Sequence, residues 1–211
     1  MASVIPDIPL FQPYSPLPLP APLYNVGLRF NGGTYRGDVD TNHTASGVGF
    51  WENGVSAYYG MWSNGLRHGS GSETLYTSTG SVLNFYEGEW SNGQRHGRGI
   101  TRSELGDVYN ATFQNGILTG PARVDFANGT TYEGLLENGL RHGLGLLTFN
   151  NGAKYHGYFA HGRISGRGKL TYPGGRVYDG HWTDSTRGRG DMTEPKVFYN
   201  QDWYLPELSG W

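Results

Sequence analysis

Short stretches of alternating side chains dominate the middle of the chain. Residues 86–90, for example, read Tyr-Glu-Gly-Glu-Trp. Successive side chains of a strand point to opposite faces, so Tyr86, Gly88 and Trp90 would share one face, and Glu87 and Glu89 the other. Such alternation with a period of two predicts β-strands that have one buried face and one polar face.

Turn residues follow these strand segments at a fixed distance. An Asn-Gly pair comes at the same distance after the starting tyrosine in four places, at 64–65, 92–93, 115–116 and 138–139. Asn-Gly between two strand segments is the strongest short-range signal for a β-hairpin, because both residues accept a positive φ. A second strand then runs through a Gly-x-Gly sequence such as Gly97 to Gly99. The unit is therefore predicted to be a hairpin.

The hairpin unit is repeated along the chain. Further copies begin at Tyr58, Tyr109, Tyr132, Tyr155 and Tyr178, and a degenerate first copy begins at Tyr35. The copies follow one another at a constant interval, except that the step from Tyr58 to Tyr86 is longer, and the additional residues around 78–81 predict a longer hairpin loop there. Seven copies fill residues 35–190, and residues 28–32 look like the second half of an earlier copy. Atypical outer copies are expected of the capping repeats of an array.

The predicted fold is all-β, an elongated single-layer antiparallel β-meander built from about seven hairpin repeats, or about fourteen strands. Glycine inside a strand weakens it unless another group approaches closely. We therefore expect each aromatic ring to lie across the glycines beside it, including both glycines of Gly-x-Gly. This arrangement would bury apolar area without a second layer of structure.

The repeated residues resemble those of the MORN family (membrane occupation and recognition nexus). That family's motif is approximately Tyr-x-Gly-x-Trp-x-x-Gly-x-x-x-Gly-x-Gly, and residues 86–99 match it without a gap. The resemblance extends over about three quarters of the chain. The fourth copy departs from it, since Ala111 replaces the motif glycine, and the first and seventh copies are irregular.

Both ends of the chain differ in composition from the repeats. Residues 1–23 form a proline-rich segment, which predicts an extended, polyproline-like conformation. Residues 24–190 are the repeat array, and residues 191–211 are rich in aromatic residues. We interpret this last segment as a cap on the final repeats or as a tail that docks on another chain.

Composition excludes several classes of function. The net charge of −2 offers no long-range attraction for nucleic acid, and the absence of cysteine excludes disulfides and thiolate metal sites. No apolar stretch approaches the roughly 18 residues that a membrane span requires. The chain is also expected to lack a signal peptide, which agrees with the cytoplasm as its location.

Catalytic chemistry is not predicted. His68, His96 and His142 occupy the same repeat position, so two such neighbours would be about 10 Å apart, too far to share one zinc ion. No nucleophile elbow, phosphate loop or zinc-protease motif is present. We therefore expect no enzymatic activity, metal, cofactor or small-molecule substrate.

Three groups of residues are candidates for partner binding. The predicted aromatic face comprises Tyr58, Trp62, Tyr86, Trp90, Tyr109, Phe113, Tyr132, Tyr155, Phe159, Tyr178 and Trp182. A predicted basic ridge along one edge of the sheet comprises Arg67, His68, Arg95, His96, Arg141 and His142; ordinary turn-flanking charge is the alternative interpretation. The tails contribute Phe11, Tyr14, Trp203 and Trp211.

The resemblance implies a structural role. MORN proteins without catalytic domains are often cytoskeletal, including radial-spoke components of ciliary and flagellar axonemes. We therefore expect a scaffold that binds other proteins of a larger complex, for example one associated with microtubules. One alternative is a peripheral adaptor for phospholipid membranes, whose headgroups the basic ridge would contact. Another is a regulatory subunit of an enzyme.

Overall fold

A computed structural model describes residues 26–193 of the 211-residue chain, and these residues form strands joined by turns. The fifteen strands are β1 (Val26–Phe30), β2 (Gly33–Val39), β3 (Ala45–Glu52), β4 (Ser56–Ser63), β5 (Leu66–Tyr76), β6 (Val82–Ser91), β7 (Gln94–Ser103), β8 (Val108–Gln114), β9 (Ile117–Asp125), β10 (Thr131–Glu137), β11 (Leu140–Thr148), β12 (Lys154–Ala160), β13 (Arg163–Thr171), β14 (Val177–Thr183) and β15 (Thr186–Thr193).

The strands form one open antiparallel sheet in which each strand neighbours the next one in sequence. The predicted fold class, an all-β single-layer meander of hairpin repeats, is confirmed. The fragment around Leu28 forms β1, and β15 extends to Thr193, just past the boundary predicted at 190. Within 26–193, no helix is long and apolar enough to cross a membrane.

The hairpin turns adopt the conformation that Asn-Gly favours. In the second copy Ser63 pairs with Leu66 across a two-residue loop, and Asn64 and Gly65 have φ angles of 51° and 75°. Positive φ at both central residues is the signature of a type I′ turn, whose twist matches that of the flanking strands. His161-Gly162 and Asp184-Ser185 adopt the same conformation without the Asn-Gly sequence.

Six of the hairpins, all but those of the first fragment and the fourth copy, show a β-bulge next to the motif glycine. In the third copy the register shifts between Gly88 and Trp90, and on the partner strand Gly97 has a φ of +63°. A side chain at Gly97 would therefore meet Glu89 on the polar face, with its Cβ 2.8 Å from the Glu89 Cδ. The prediction that both glycines of Gly-x-Gly lie under rings is wrong for the first glycine, because the bulge turns it away.

Residues 26–119 form one compact unit, and residues 120–193 form a second, with the boundary inside β9. The core of the first unit is built from Tyr35, Trp51, Tyr58, Trp62, Tyr86, Trp90 and Phe113. The second unit buries Val124, Tyr132, Leu136, Leu147, Phe149, Tyr155, Phe159, Ile164, Leu170, Tyr172, Tyr178 and Trp182. Each core lies on the face that carries the repeated tyrosines.

Candidate functional site

The repeated tyrosine lies flat over two glycines. The hydroxyl of Tyr58 donates a hydrogen bond to the carbonyl of Met61 at 2.9 Å, which folds the ring back along its own strand. A side chain at Gly60 or Gly71 would overlap this ring. The same bond, from the tyrosine to the carbonyl three residues later, is made by Tyr35, Tyr86, Tyr132, Tyr155 and Tyr178.

The second repeated aromatic stands edge-on between two tyrosines. The Trp90 ring is 5.1 Å from that of Tyr58 and 5.3 Å from that of Tyr86, with interplanar angles of 83° and 84°. Its indole Nε1 donates a hydrogen bond to the carbonyl of Gly71 at 3.1 Å. Trp62 makes equivalent ring contacts in the first unit, and Phe159 and Trp182 do so in the second.

Burial gives these rings a structural role. Of the residues predicted as an aromatic partner-binding face, all are buried except Tyr109, which is half-buried. Burial raises the pKa of Tyr35 to about 12, and it also raises the pKa values of Tyr58, Tyr132 and Tyr155. A partner would reach most of these rings only by displacing their neighbours. Partner binding by this face stays a prediction.

A cluster of charged side chains covers the aromatic face of the first unit. Glu73 is buried and accepts hydrogen bonds from both Arg67 and Arg95, the latter at 2.9 Å. The Arg67 guanidinium lies 5.0 to 5.5 Å from the ring centroids of Tyr58, Trp90 and Trp51. Such cation–π contacts stabilise a desolvated arginine. The sequence pattern did not single out Glu73, because no other copy has an acidic residue at its repeat position.

The predicted basic ridge is divided between the two faces of the sheet. Arg67 and Arg95 lie over aromatic rings, and in the second unit Arg141 lies 5.3 Å from the centroid of Phe159. The three histidines that follow them, His68, His96 and His142, belong to the opposite face because adjacent strand residues alternate. The six residues of the predicted ridge therefore do not all share one face of the sheet. Whether these residues bind a partner stays a prediction.

The face opposite the rings differs from copy to copy. Counting the starting tyrosine as position 0, position 3 is occupied by six different residues in the second to seventh copies: Met61, Glu89, Thr112, Leu135, Tyr158 and His181. All six are half-buried or exposed. We call this the varied face. Its side chains are not used in the ring-and-glycine packing that builds each repeat.

Salt bridges cover part of the varied face. In the first unit Arg98 Nε is 3.7 Å from Glu89 Oε1. In the second unit Arg123 contacts Asp125 and Glu133, at 3.0 Å and 2.6 Å. Most of these side chains are close to half exposed, so each pair contributes at most about 1 kcal/mol to stability.

The remaining predictions from the sequence concern the tail residues and the absence of a metal site. Phe11, Tyr14, Trp203 and Trp211 lie outside the described residues. Over residues 26–193 no three histidine, aspartate or glutamate side chains are grouped so as to hold a metal ion. The rings of His142 and His161 come within 6.2 Å in the second unit, and His142 Nδ1 lies 3.1 Å from Glu137 Oε2.

Comparison with known proteins agrees with the repeat pattern. The MORN repeat family matches residues 58–79, 86–104, 132–154 and 155–175. No curated protein matches the chain. Among solved structures, the SAS-4 TCP domain of Drosophila melanogaster, in complex with a proline-rich motif of Ana2, is 11% identical, with a TM-score of 0.41; the match covers 88% of this chain and 99% of that one. Four of the repeats in this chain thus match the MORN repeat family.

Proposed function

We propose that this chain is a non-catalytic scaffold that binds other proteins of a cytoskeletal assembly, with the axoneme of a cilium or flagellum as the first setting to test. MORN repeats are associated with protein-interaction and membrane-adaptor roles. The finer assignment, a protein scaffold, rests on the varied face.

The proposal rests on a difference in residue composition between the two faces of the sheet. The same residue types recur on the ring face and are buried, whereas position 3 of the varied face never repeats a residue over six copies. A purely structural sheet needs only some polar residue at such sites. Different residues at regular spacing give each repeat its own shape and charge, which is what recognition of a specific protein surface requires.

The membrane-adaptor alternative depends on the basic ridge, and the positions of the arginines weaken it. Arg67 and Arg95 share the carboxylate of Glu73, and their side chains are 19% and 17% exposed. Headgroup binding is strongest for clusters of accessible cations, each contributing about 1 kcal/mol near an anionic surface. Two arginines that already share an acid are poorly placed for this.

Extraction of cells that express the full-length chain tests the scaffold against the adaptor. We expect the chain to stay with the detergent-insoluble cytoskeleton and to leave it in high salt, since exposed charged contacts are screened. Fluorescence microscopy should place it along tubulin-containing structures. Release by detergent alone, together with flotation on vesicles of phosphatidylserine and phosphatidylcholine, would instead establish the membrane adaptor and refute the scaffold.

A further inference from the structure

We infer that this chain closes the C-terminal edge of its own sheet: residues 198–203 pair with the outer edge of β15 as a further strand, and Trp203 packs on Tyr178. β15 is the last strand of the described sheet, and among the described residues it pairs with β14. The backbone groups on the outer edge of such a strand can pair with another extended segment. The inferred occupant lies beyond the described part of the chain, and its placement follows from the geometry of the described repeats.

The packing of the rings follows one rule from copy to copy. The aromatic at position 4 packs on the tyrosine of the copy before it, with ring centroids 5.0 to 5.3 Å apart. The five pairs are Trp62 with Tyr35, Trp90 with Tyr58, Phe113 with Tyr86, Phe159 with Tyr132 and Trp182 with Tyr155. For Tyr178, the tyrosine of the seventh copy, the aromatic that follows the same rule would come from beyond Thr193.

The tryptophans at position 4 also bind the backbone of the copy before them. The indole Nε1 of Trp182 donates a hydrogen bond to the carbonyl of Gly168 at 3.1 Å, and two other tryptophans make the same bond. Gly168 pairs with Gly157 across the sixth hairpin. Gly190 pairs with Gly180 in the same way across the seventh. A tryptophan on the next strand would therefore find the same kind of acceptor, the carbonyl of Gly190.

The tail carries the required aromatics at the spacing of the repeat. Tyr199 and Trp203 are four residues apart, as are Tyr178 and Trp182 in the seventh copy. Gln201 occupies the position of the motif glycine, so the ring of Tyr199 cannot fold back over its own strand as the other tyrosines do. A last strand does not need this fold, because no second strand of its own hairpin has to be covered. The segment therefore matches the first strand of a final, incomplete copy, as expected of a capping repeat.

The register of β15 leads to Tyr199 at the required place. Met192 pairs with the tyrosine of its own copy, as Trp51 does in the first copy. On its other side Trp51 pairs with Tyr58, which lies seven residues later in the chain. Seven residues after Met192 the chain reaches Tyr199. The tail thus has the length that brings its tyrosine beside β15 in the register of the repeat.

Two further features of the tail suit this register. Residues 194–197 would form the turn, with Pro195 at its second position, where the fixed φ of proline is favoured. Antiparallel pairing in the same register places Asp202 directly opposite Arg189. Opposite charges that face each other across a strand pair are favourable. Charge complementarity therefore supports the register that the aromatic spacing indicates.

A strand from the same chain is favoured over one from another molecule. Each described strand neighbours the next one in sequence, so a strand that follows β15 continues the existing order. A short connection also holds the segment beside the edge at an effective concentration on the order of millimolar. The closed edge would keep this end of the sheet from pairing with other chains, which leaves the two faces of the sheet for partner proteins.

Paired cysteines test the register, because the chain contains no cysteine. In Asp191→Cys with Asn200→Cys, the two residues would be directly opposite, within the Cα separations that a disulfide spans. Oxidised glutathione should therefore link them within one full-length chain, as measured by non-reducing electrophoresis and mass spectrometry. A link between two chains would instead show that a second copy occupies the edge, and it would overturn the inference.

The matched control moves one cysteine by a single residue. In Asp191→Cys with Gln201→Cys the two side chains would point to opposite faces of the sheet, so they should link at least tenfold more slowly. Equal rates of linking in the two variants would mean that the tail has no fixed register on β15, and the inference would be wrong.

Trp203 is tested against another tryptophan of the same tail. In Trp203→Ala, the amides of β15 that point away from β14 should exchange with deuterium at least tenfold faster than in the wild type, because the strand that covers them is weakened. Trp211→Ala removes the same side chain outside the inferred strand and should exchange like the wild type. Circular dichroism should show the array folded in both variants. Equal exchange of these amides in the two variants contradicts the inference.

The charge pair allows a rescue experiment in the full-length chain. Asp202→Arg would place two cations opposite each other and should speed exchange of the same amides about threefold. Adding Arg189→Asp restores a pair of opposite charges and should return the exchange rate to near that of the wild type. Unchanged exchange in the first variant, or no rescue in the second, would contradict the pairing of residues 198–203 with β15.

Discussion

At the scale of single residues, the repeated aromatics take the place of a second layer of structure. A single sheet has no opposing layer to bury its apolar face. Here each tyrosine covers the glycines of two strands, and each tryptophan fills the gap between two tyrosines. The result is a series of edge-on ring contacts that bury Tyr58 and Tyr86 completely. Such edge-on pairs contribute about 0.5–1.5 kcal/mol beyond the area that they bury.

Replacing Trp90 with Ala should therefore be costly. The change removes two ring contacts, the hydrogen bond to Gly71 and a surface under Arg67, and we expect a loss of about 3–5 kcal/mol. Thermal melting gives the overall effect, and hydrogen exchange of β5–β7 gives the local one. Leu105→Ala, at a side chain that is 80% exposed, is the control and should be close to neutral. Wild-type protection of β5–β7 in the tryptophan variant would contradict the packing described here.

The ring-covered glycines and the turn glycines should respond differently to substitution. Gly99→Ala would place a methyl group 2.5 Å from the Tyr86 ring, so the ring must move, and we expect a loss of about 2–3 kcal/mol. Gly116→Ala, at a turn with a φ of +83° and nothing within 4 Å, should lose only about 1–2 kcal/mol for its positive φ. Urea titration of both variants measures the difference. Equal losses would mean that the ring does not lie over Gly99.

At the scale of the hairpin, the turn sequence determines how much backbone strain the connection between two strands carries. Five two-residue hairpin turns carry Asn-Gly, four of them at the position found in the repeat pattern and one at Asn31-Gly32, and their φ angles suit those residues. The turn of the seventh copy carries Asp184-Ser185. Ser185 adopts a φ of +63°, a backbone conformation that is strained for serine and unstrained for glycine. This turn is therefore the least favourable of the described hairpin turns in its backbone conformation.

Ser185→Gly should stabilise the second unit. Glycine removes the strain of the positive φ, worth about 1–2 kcal/mol, but it loses the 3.3 Å hydrogen bond from the Ile164 backbone N–H to the serine hydroxyl. We expect a net gain of about 0.5 kcal/mol, since a typical hydrogen bond contributes about 1 kcal/mol. Ser185→Ala is the matched control, because it loses the same hydrogen bond and keeps the strain, so it should destabilise. The order of the three melting temperatures, Gly above Ser above Ala, is the measurement; Ala at or above Gly would contradict it.

At the scale of the whole molecule, sequence periodicity was enough to predict the sheet, because period-two alternation and Asn-Gly turns are local signals. The direction of Gly97 was not predictable in this way, since it depends on a bulge that forms only when two strands pair. The position of Glu73 depends likewise on two arginines from successive copies, Arg67 and Arg95.

Because the tyrosines are repeated and buried, stability should fall steeply at high pH. An unfolded tyrosine loses its proton near a pKa of about 10. Burial raises the pKa of Tyr35 to about 12 and that of Tyr58 as well, so these groups stay neutral in the folded first unit while the unfolded chain ionises. Their contribution is complete below pH of about 10 and is lost as the pH rises toward the folded pKa values. Each such tyrosine adds a slope of about 1.4 kcal/mol per pH unit in this window.

Urea titrations between pH 9 and pH 11 measure this effect. Tyr58→Phe keeps the ring over Gly60 and Gly71 but removes the ionisable hydroxyl and its bond to Met61. The variant should be less stable than the wild type at pH 9, by about 1 kcal/mol for the lost hydrogen bond. Its stability should then fall less steeply with pH, by about 1.4 kcal/mol per unit, so that the two curves converge or cross by pH 11. Other titrating groups are common to both proteins and cancel in this difference. Parallel curves would mean that the Tyr58 hydroxyl ionises as readily in the folded protein as in the unfolded chain, which its burial in this sheet does not allow.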